Sequence, residues 1–124
     1  MPQKILVVDD DEDLRRMFRL TLSVAGFAVK EARGGFEAIR LLDADPPDLV
    51  ILDLALPNID GFAVWRELQA HPHTRRIPVV VVTALEAEAV TGLDVQCVLT
   101  KPVMPADLVT VVRRCLAASS GAGV

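Results

Sequence analysis

Short apolar runs and helical repeats alternate along the chain. Ile5, Leu6, Val7 and Val8 are consecutive apolar residues, the pattern of a strand covered on both faces. Leu14, Met17, Phe18, Thr21, Leu22 and Ala25 then recur at three- and four-residue spacing, which predicts a helix that Gly26 ends. Residues 27–32 predict a second strand. Gly34 and Gly35 turn into a short helix over 36–44, which Pro46 and Pro47 stop. Residues 49–52 are a third buried run, closing on Asp53. A loop over 57–60 leads to a helix over 61–70, with Asp60 placed to cap it. Pro78 opens a fourth strand over 79–82, and a weak helical stretch over 86–91 precedes a fifth strand near 95–99. Pro105 stands in the first turn of a last helix that runs to about residue 118.

Strands alternating with helices predict an α/β fold, a doubly wound parallel sheet with helices on both faces. Five strands suggest the flavodoxin-like order 2-1-3-4-5, here with a shortened fourth helix, and put any site at the carboxyl ends of the strands. The length of 124 residues fits one domain, expected over residues 1–118, with 119–124 as a flexible C-terminal tail. A hydrophobic content of 52% excludes intrinsic disorder. No apolar run reaches the roughly 20 residues of a membrane span. Little precedes the first apolar run, so no secretory leader is expected.

Charge refines this picture at one place. The chain carries 13 basic and 17 acidic side chains, and Asp9, Asp10, Asp11, Glu12 and Asp13 are consecutive. The acidic character is therefore one local patch on a nearly neutral protein. Asp11 and Arg15, and Glu12 and Arg16, stand at ordinary i,i+4 pairing distance. Arg15/Arg16, Arg75/Arg76 and Arg113/Arg114 read as solvated, so no nucleic-acid surface is expected. Cys97 and Cys115 lack metal-ligand spacing and read as small buried hydrophobes in a reducing compartment, which points to the cytoplasm. His71 and His73 read as a solvated loop, and Trp65 follows the helical spacing of Phe62 and Leu68 into the core.

The chemistry gathers at the strand exits. The first strand ends in Asp9 and Asp10, the third in Asp53, the fourth in Thr83 and Ala84, and the fifth is followed by Lys101 and Pro102. Three carboxylates close together repel unless a cation joins them. Mg²⁺ is the natural one, since it takes hard oxygen ligands and often needs only one or two carboxylates. The ammonium and the hydroxyl beside it suit a tetrahedral oxyanion. Acids at a helix start also favour the helix dipole, and Asp11 to Asp13 are read in that way alone.

In this order, Ile5-Leu6-Val7-Val8-Asp9-Asp10, Asp53-Leu54-Ala55-Leu56-Pro57-Asn58-Ile59-Asp60-Gly61, Val82-Thr83-Ala84 and Lys101-Pro102 resemble a response regulator receiver domain of two-component signalling. The resemblance spans residues 3–116. It implies that Asp53 accepts a phosphoryl group from a histidine kinase or phosphotransfer protein in a Mg²⁺-dependent reaction. Asp10, Asp53 and the carbonyl of Ala55 would ligate the cation directly, and Asp9 through water. Thr83, the Ala84 amide and Lys101 would hold the phosphoryl group, and the Lys101-Pro102 bond would be cis. The family members are signalling switches rather than enzymes, and a monomer or weak dimer acting on a downstream protein target is expected, with no direct contact to nucleic acid or membrane.

Two departures stand out. The family usually carries an aromatic residue or histidine three positions before the lysine, and Val98 stands there. The stretch from Thr83 to Lys101 is about one helical turn short. The resemblance also ties self-dephosphorylation to side chains at positions 55 and 85; Ala55 and Leu85 cannot orient water, so slow hydrolysis is expected. A degenerate receiver acting as a phosphorylation-independent interaction module is the alternative. The complete set Asp9, Asp10, Asp53, Thr83 and Lys101 argues against it. A haloacid-dehalogenase-type phosphatase lacks its Asp-x-Asp-Gly-Thr motif here, and five acids after the first strand would repel the phosphate of an FMN carrier.

Overall fold

The computed structural model describes residues 2–54, 61–83 and 97–122. Strands β1 (Lys4–Val8), β2 (Ala28–Ala32), β3 (Leu49–Asp53), β4 (Val79–Thr83) and β5 (Cys97–Thr100) alternate with helices α1 (Glu12–Val24), α2 (Gly35–Ala44), α3 (Gly61–Ala70) and α4 (Pro105–Ala122). The strands form one parallel sheet in the order β2-β1-β3-β4-β5, the flavodoxin-like arrangement expected. β3 and β4 are buried at every position, which is why each reads as an unbroken apolar run rather than an alternating one. The predicted short helix over 86–91 and the Asp60 cap lie outside the described residues.

The pleat sorts the core into two layers. Ile5, Val7, Leu49, Ile51, Val80 and Val82 face one side and pack with Phe18 and Leu22 of α1 and Leu108 and Val112 of α4. Leu6, Val8, Val50, Leu52 and Val81 face the other and pack with Ala38 and Leu42 of α2 and Val64 and Leu68 of α3. Trp65 is half-buried against this second layer rather than within it.

Local chemistry sets the ends of α1. Asp11 caps it, its side chain accepting from the amides of Asp13 and Leu14. At the other end Gly26 takes a φ of 102°, where a side chain would be strained. The Gly26 amide bonds the Ser23 carbonyl at 3.1 Å and the Phe27 amide the Leu22 carbonyl at 3.0 Å, a Schellman closure. α4 continues past the end expected near residue 118 to Ala122, because Ala117, Ala118 and Ser119 do not break it; residues 119–122 are helical rather than an irregular tail. Among the described residues, no helix is long and apolar enough to cross a membrane.

Candidate functional site at the carboxyl edge of the sheet

β1 and β3 are adjacent, with Val8 beside Leu52 in register. The residues that follow these partners therefore meet at the sheet edge. Asp9 is 1% exposed and Asp53 3%, while Asp10 is exposed. One carboxylate oxygen from each of Asp9, Asp10 and Asp53 lies within 4.8 Å of the other two. β4 adds Thr83, also buried, and β5 pairs Thr100 with Thr83. The chain then turns through Lys101, whose amide donates to the Thr83 carbonyl at 3.0 Å, and through a cis Lys101-Pro102 bond. The Lys101 ammonium reaches Asp53 Oδ2 at 3.0 Å and Asp9 Oδ2 at 3.9 Å.

The electrostatics follow from this crowding. Burial pushes the Asp9 carboxyl up to about 6, opposed by the hydrogen bond from the Asp11 amide and reinforced by the charge of Asp53. Burial works to lower Lys101, but its hydrogen bond to Asp53 and the charges of Asp9, Asp53 and Asp10 outweigh it and leave it raised. The ammonium is thus held charged against the carboxylates.

A divalent cation fits this donor set. Three hard oxygen donors converge, and Asp9 Oδ2 is buried with no hydrogen-bond partner among the described residues. Such an atom is costly unless something charged reaches it. Mg²⁺ suits carboxylate oxygens of this kind. The carbonyl of Ala55 and the amide of Ala84, both expected at the site, lie outside the described residues.

A family model for the response regulator receiver domain matches residues 5–113. The chain belongs to that family. Response regulator MprA of Mycolicibacterium vanbaalenii is 43% identical over 96 residues, covering 76% of this chain and 41% of that protein. This chain thus spans less than half the length of that relative. The signal receiver domain of a signal transduction histidine kinase from Syntrophus aciditrophicus superposes with a TM-score of 0.85 at 32% identity, over 94% of this chain and 91% of that one. Chemotaxis response regulator CheY4 of Vibrio cholerae gives a TM-score of 0.87 at 25% identity, over 93% and 99% of the two chains.

Within this receiver domain, sequence spacing misplaced one residue and overlooked another. Arg15 is not solvated and does not pair with Asp11. It is 6% exposed and donates to the Asp9 carbonyl and to Glu31, because the Asp11 side chain is already engaged as the helix cap. Among the described residues no ion pair joins Glu12 to Arg16. By spacing alone, Gly61 reads as a helix start. A Cβ there would collide with the main chain of Asp53 and Leu54, so the glycine lets α3 begin directly against the end of β3. The family's Asp-Gly pair at this point was the available signal. Val98 is 41% exposed, beside Val81 in the register of β4 and β5.

Proposed function

We propose that this receiver domain accepts a phosphoryl group on Asp53 from a phosphohistidine of a histidine kinase or phosphotransfer protein, with Mg²⁺ held by Asp9, Asp10, Asp53 and the Ala55 carbonyl. The observation that carries this reading is the 3.0 Å contact of Lys101 Nζ with Asp53 Oδ2 in a pocket where three carboxylates converge. In the transfer an Asp53 carboxylate oxygen bonds to phosphorus as the phosphorus–nitrogen bond breaks, and the electron pair leaves on the imidazole nitrogen. When bound, the cation offsets the charge of the carboxylates and of the incoming phosphoryl oxygens. Lys101 supplies a second positive charge that stays beside the acceptor before and after transfer. Thr83, buried one strand away, donates its hydroxyl to the phosphoryl oxygens, with the Ala84 amide beside it.

The domain then works as a switch toward a downstream protein in the cytoplasm, as a monomer or weak dimer, with no direct nucleic-acid contact. Ala55 and Leu85 leave the aspartyl phosphate slow to hydrolyse. Intact mass after incubation with acetyl phosphate and Mg²⁺ tests the reading. One phosphoryl adduct is expected on the parent chain, none on Asp53→Asn, and none when Mg²⁺ is chelated. A stoichiometric adduct on Asp53→Asn overturns the assignment.

A further inference from the structure

Arginine is almost never fully buried unless it is paired. Arg15, on α1, is buried, and one of its two partners is the main chain of an acidic-pocket residue. Its Nη1 donates to the main-chain carbonyl of Asp9 at 2.8 Å. Its Nε donates to Glu31 Oε1 on β2 at 3.3 Å. Glu31 is held at its other oxygen by the more exposed Arg19, also at 3.3 Å. Asp9 is thereby fixed at three points. Its amide donates to the Ala32 carbonyl at 3.1 Å, its carbonyl takes Arg15, and its Oδ1 accepts from the Asp11 amide at 2.9 Å. Among the described residues its Oδ2 has no hydrogen bond, and it lies on the side of Lys101.

Building on the Mg²⁺-assisted reading above, we infer that Arg15 is a positioning residue for the cation site. Its guanidinium bridges the Asp9 carbonyl and the Glu31 carboxylate, and so presets the turn between β1 and α1 that carries both Asp9 and Asp10. The planar fork suits this task because two acceptors on different elements are reached by different N–H groups of one rigid unit. Lysine offers one compact charge on a flexible stem, without the rigid fork that fixes the two acceptors relative to each other.

Charge and position make opposite demands. A guanidinium near a cation site repels the cation, so by charge alone Arg15→Gln would tighten Mg²⁺ binding. If Arg15 holds the turn, its loss lets Asp9 and Asp10 drift and weakens binding. Outer-shell partners of metal ligands are worth roughly 10- to 100-fold in affinity, so a loss of about tenfold is expected. Arg15→Lys keeps the charge, loses the bridge, and is expected to weaken binding as well. Arg19→Gln touches only the far oxygen of Glu31 and should stay within about twofold, as exposed pairs contribute little.

The test is titration of the metal-stripped full chain with MgCl₂, followed by amide chemical shifts. It is run at a temperature where circular dichroism shows every variant folded. Weaker binding in both Arg15 variants, with Arg19→Gln unchanged and amide shifts distant from the β1–α1 turn preserved, supports the inference. Arg15→Gln or Arg15→Lys binding Mg²⁺ as tightly as the parent, or more tightly, overturns it. If Arg15→Gln does not fold, Arg15→Lys decides alone. A parent chain that takes no Mg²⁺ overturns the cation reading and this inference with it, whereas a parent that binds beside an unaffected Arg15 variant overturns this inference only.

Discussion

Asp9 is under two opposed demands. Its burial favours the neutral acid, while cation binding needs the carboxylate. With its carboxyl raised from 3.8 to about 6, the folded chain holds that proton more tightly than the unfolded chain does. Between those values the native state binds more protons, so stability falls as pH rises through the window and stays lower above it. Thermal denaturation in a chelator should therefore show the parent losing stability across this interval relative to Asp9→Asn, which lacks the titrating group. A parent and variant with parallel pH profiles would contradict this. The same substitution should weaken Mg²⁺ binding, so the residue trades stability for chemistry.

The cysteines offer a second check at this scale. Burial, then contact with Cys97, pushes the Cys115 thiol up to about 12. The thiolate is the reactive form, and Cys115 is fully buried while Cys97 is only partly so. Alkylation of the folded chain by iodoacetamide should modify Cys97 first and spare Cys115 until the protein is unfolded. Equal rates at both would show that this part of the core opens readily.

At the scale of elements, the close approach of the start of α3 to the end of β3 is a tight constraint. Gly61 lies against the main chain of Asp53 and Leu54, and its amide bonds the Leu54 carbonyl at 3.0 Å. Gly61→Ala must push α3 away from the strand that presents Asp53. A loss of about 2 kcal/mol or more is expected from overpacking, with slower phosphoryl labelling, measured by urea denaturation and by mass. The strands themselves were legible because a parallel strand covered on both faces needs an unbroken apolar run, and β1, β3 and β4 carry one in Ile5 to Val8, Leu49 to Leu52 and Val79 to Val82. β2, at one edge, alternates between exposed and half-buried positions and still reads as a strand from Val29 and its neighbours. Gly61 was not legible as a contact, since spacing tells where a helix starts and not how near another backbone passes. Arg15 misled for a related reason. Its i,i+4 neighbour Asp11 was the local choice, while its actual carboxylate partner Glu31 lies 16 residues on, on β2, and meets it through the packing of α1 against that strand.

For the whole molecule, the site was legible because doubly wound topology turns separate sequence positions into neighbours. Asp9, Asp10, Asp53, Thr83 and Lys101 each end or follow a strand, and the strand order places those ends side by side. The stretch between β4 and β5 was not so readable, because its apolar spacing is weak. A global prediction follows from the cation site. A ligand that binds only the folded chain stabilises it by about 2.7 kcal/mol at a hundred times its Kd. For a domain of this size that is a rise in melting temperature of about 10 °C. Calorimetry with and without MgCl₂ should show it in the parent and much less of it in Asp9→Asn.

Lys101 follows the last strand to join the sheet, and this gives the site a history during synthesis. The ribosome releases Asp9 and Asp10 first, then Asp53, and the lysine only after a further 48 residues, several seconds of elongation at typical rates of about 5–20 residues per second. A nascent chain that has paired β1 with β3 therefore brings its carboxylates together with no lysine to offset them. Closing such distant contacts is already slow, and mutual repulsion raises the barrier further. Mg²⁺ is expected to screen those acids at that stage, before the lysine is available. Stalled chains ending before β5 should accordingly be more sensitive to protease in chelator than in MgCl₂, and the difference should shrink once Lys101 has emerged.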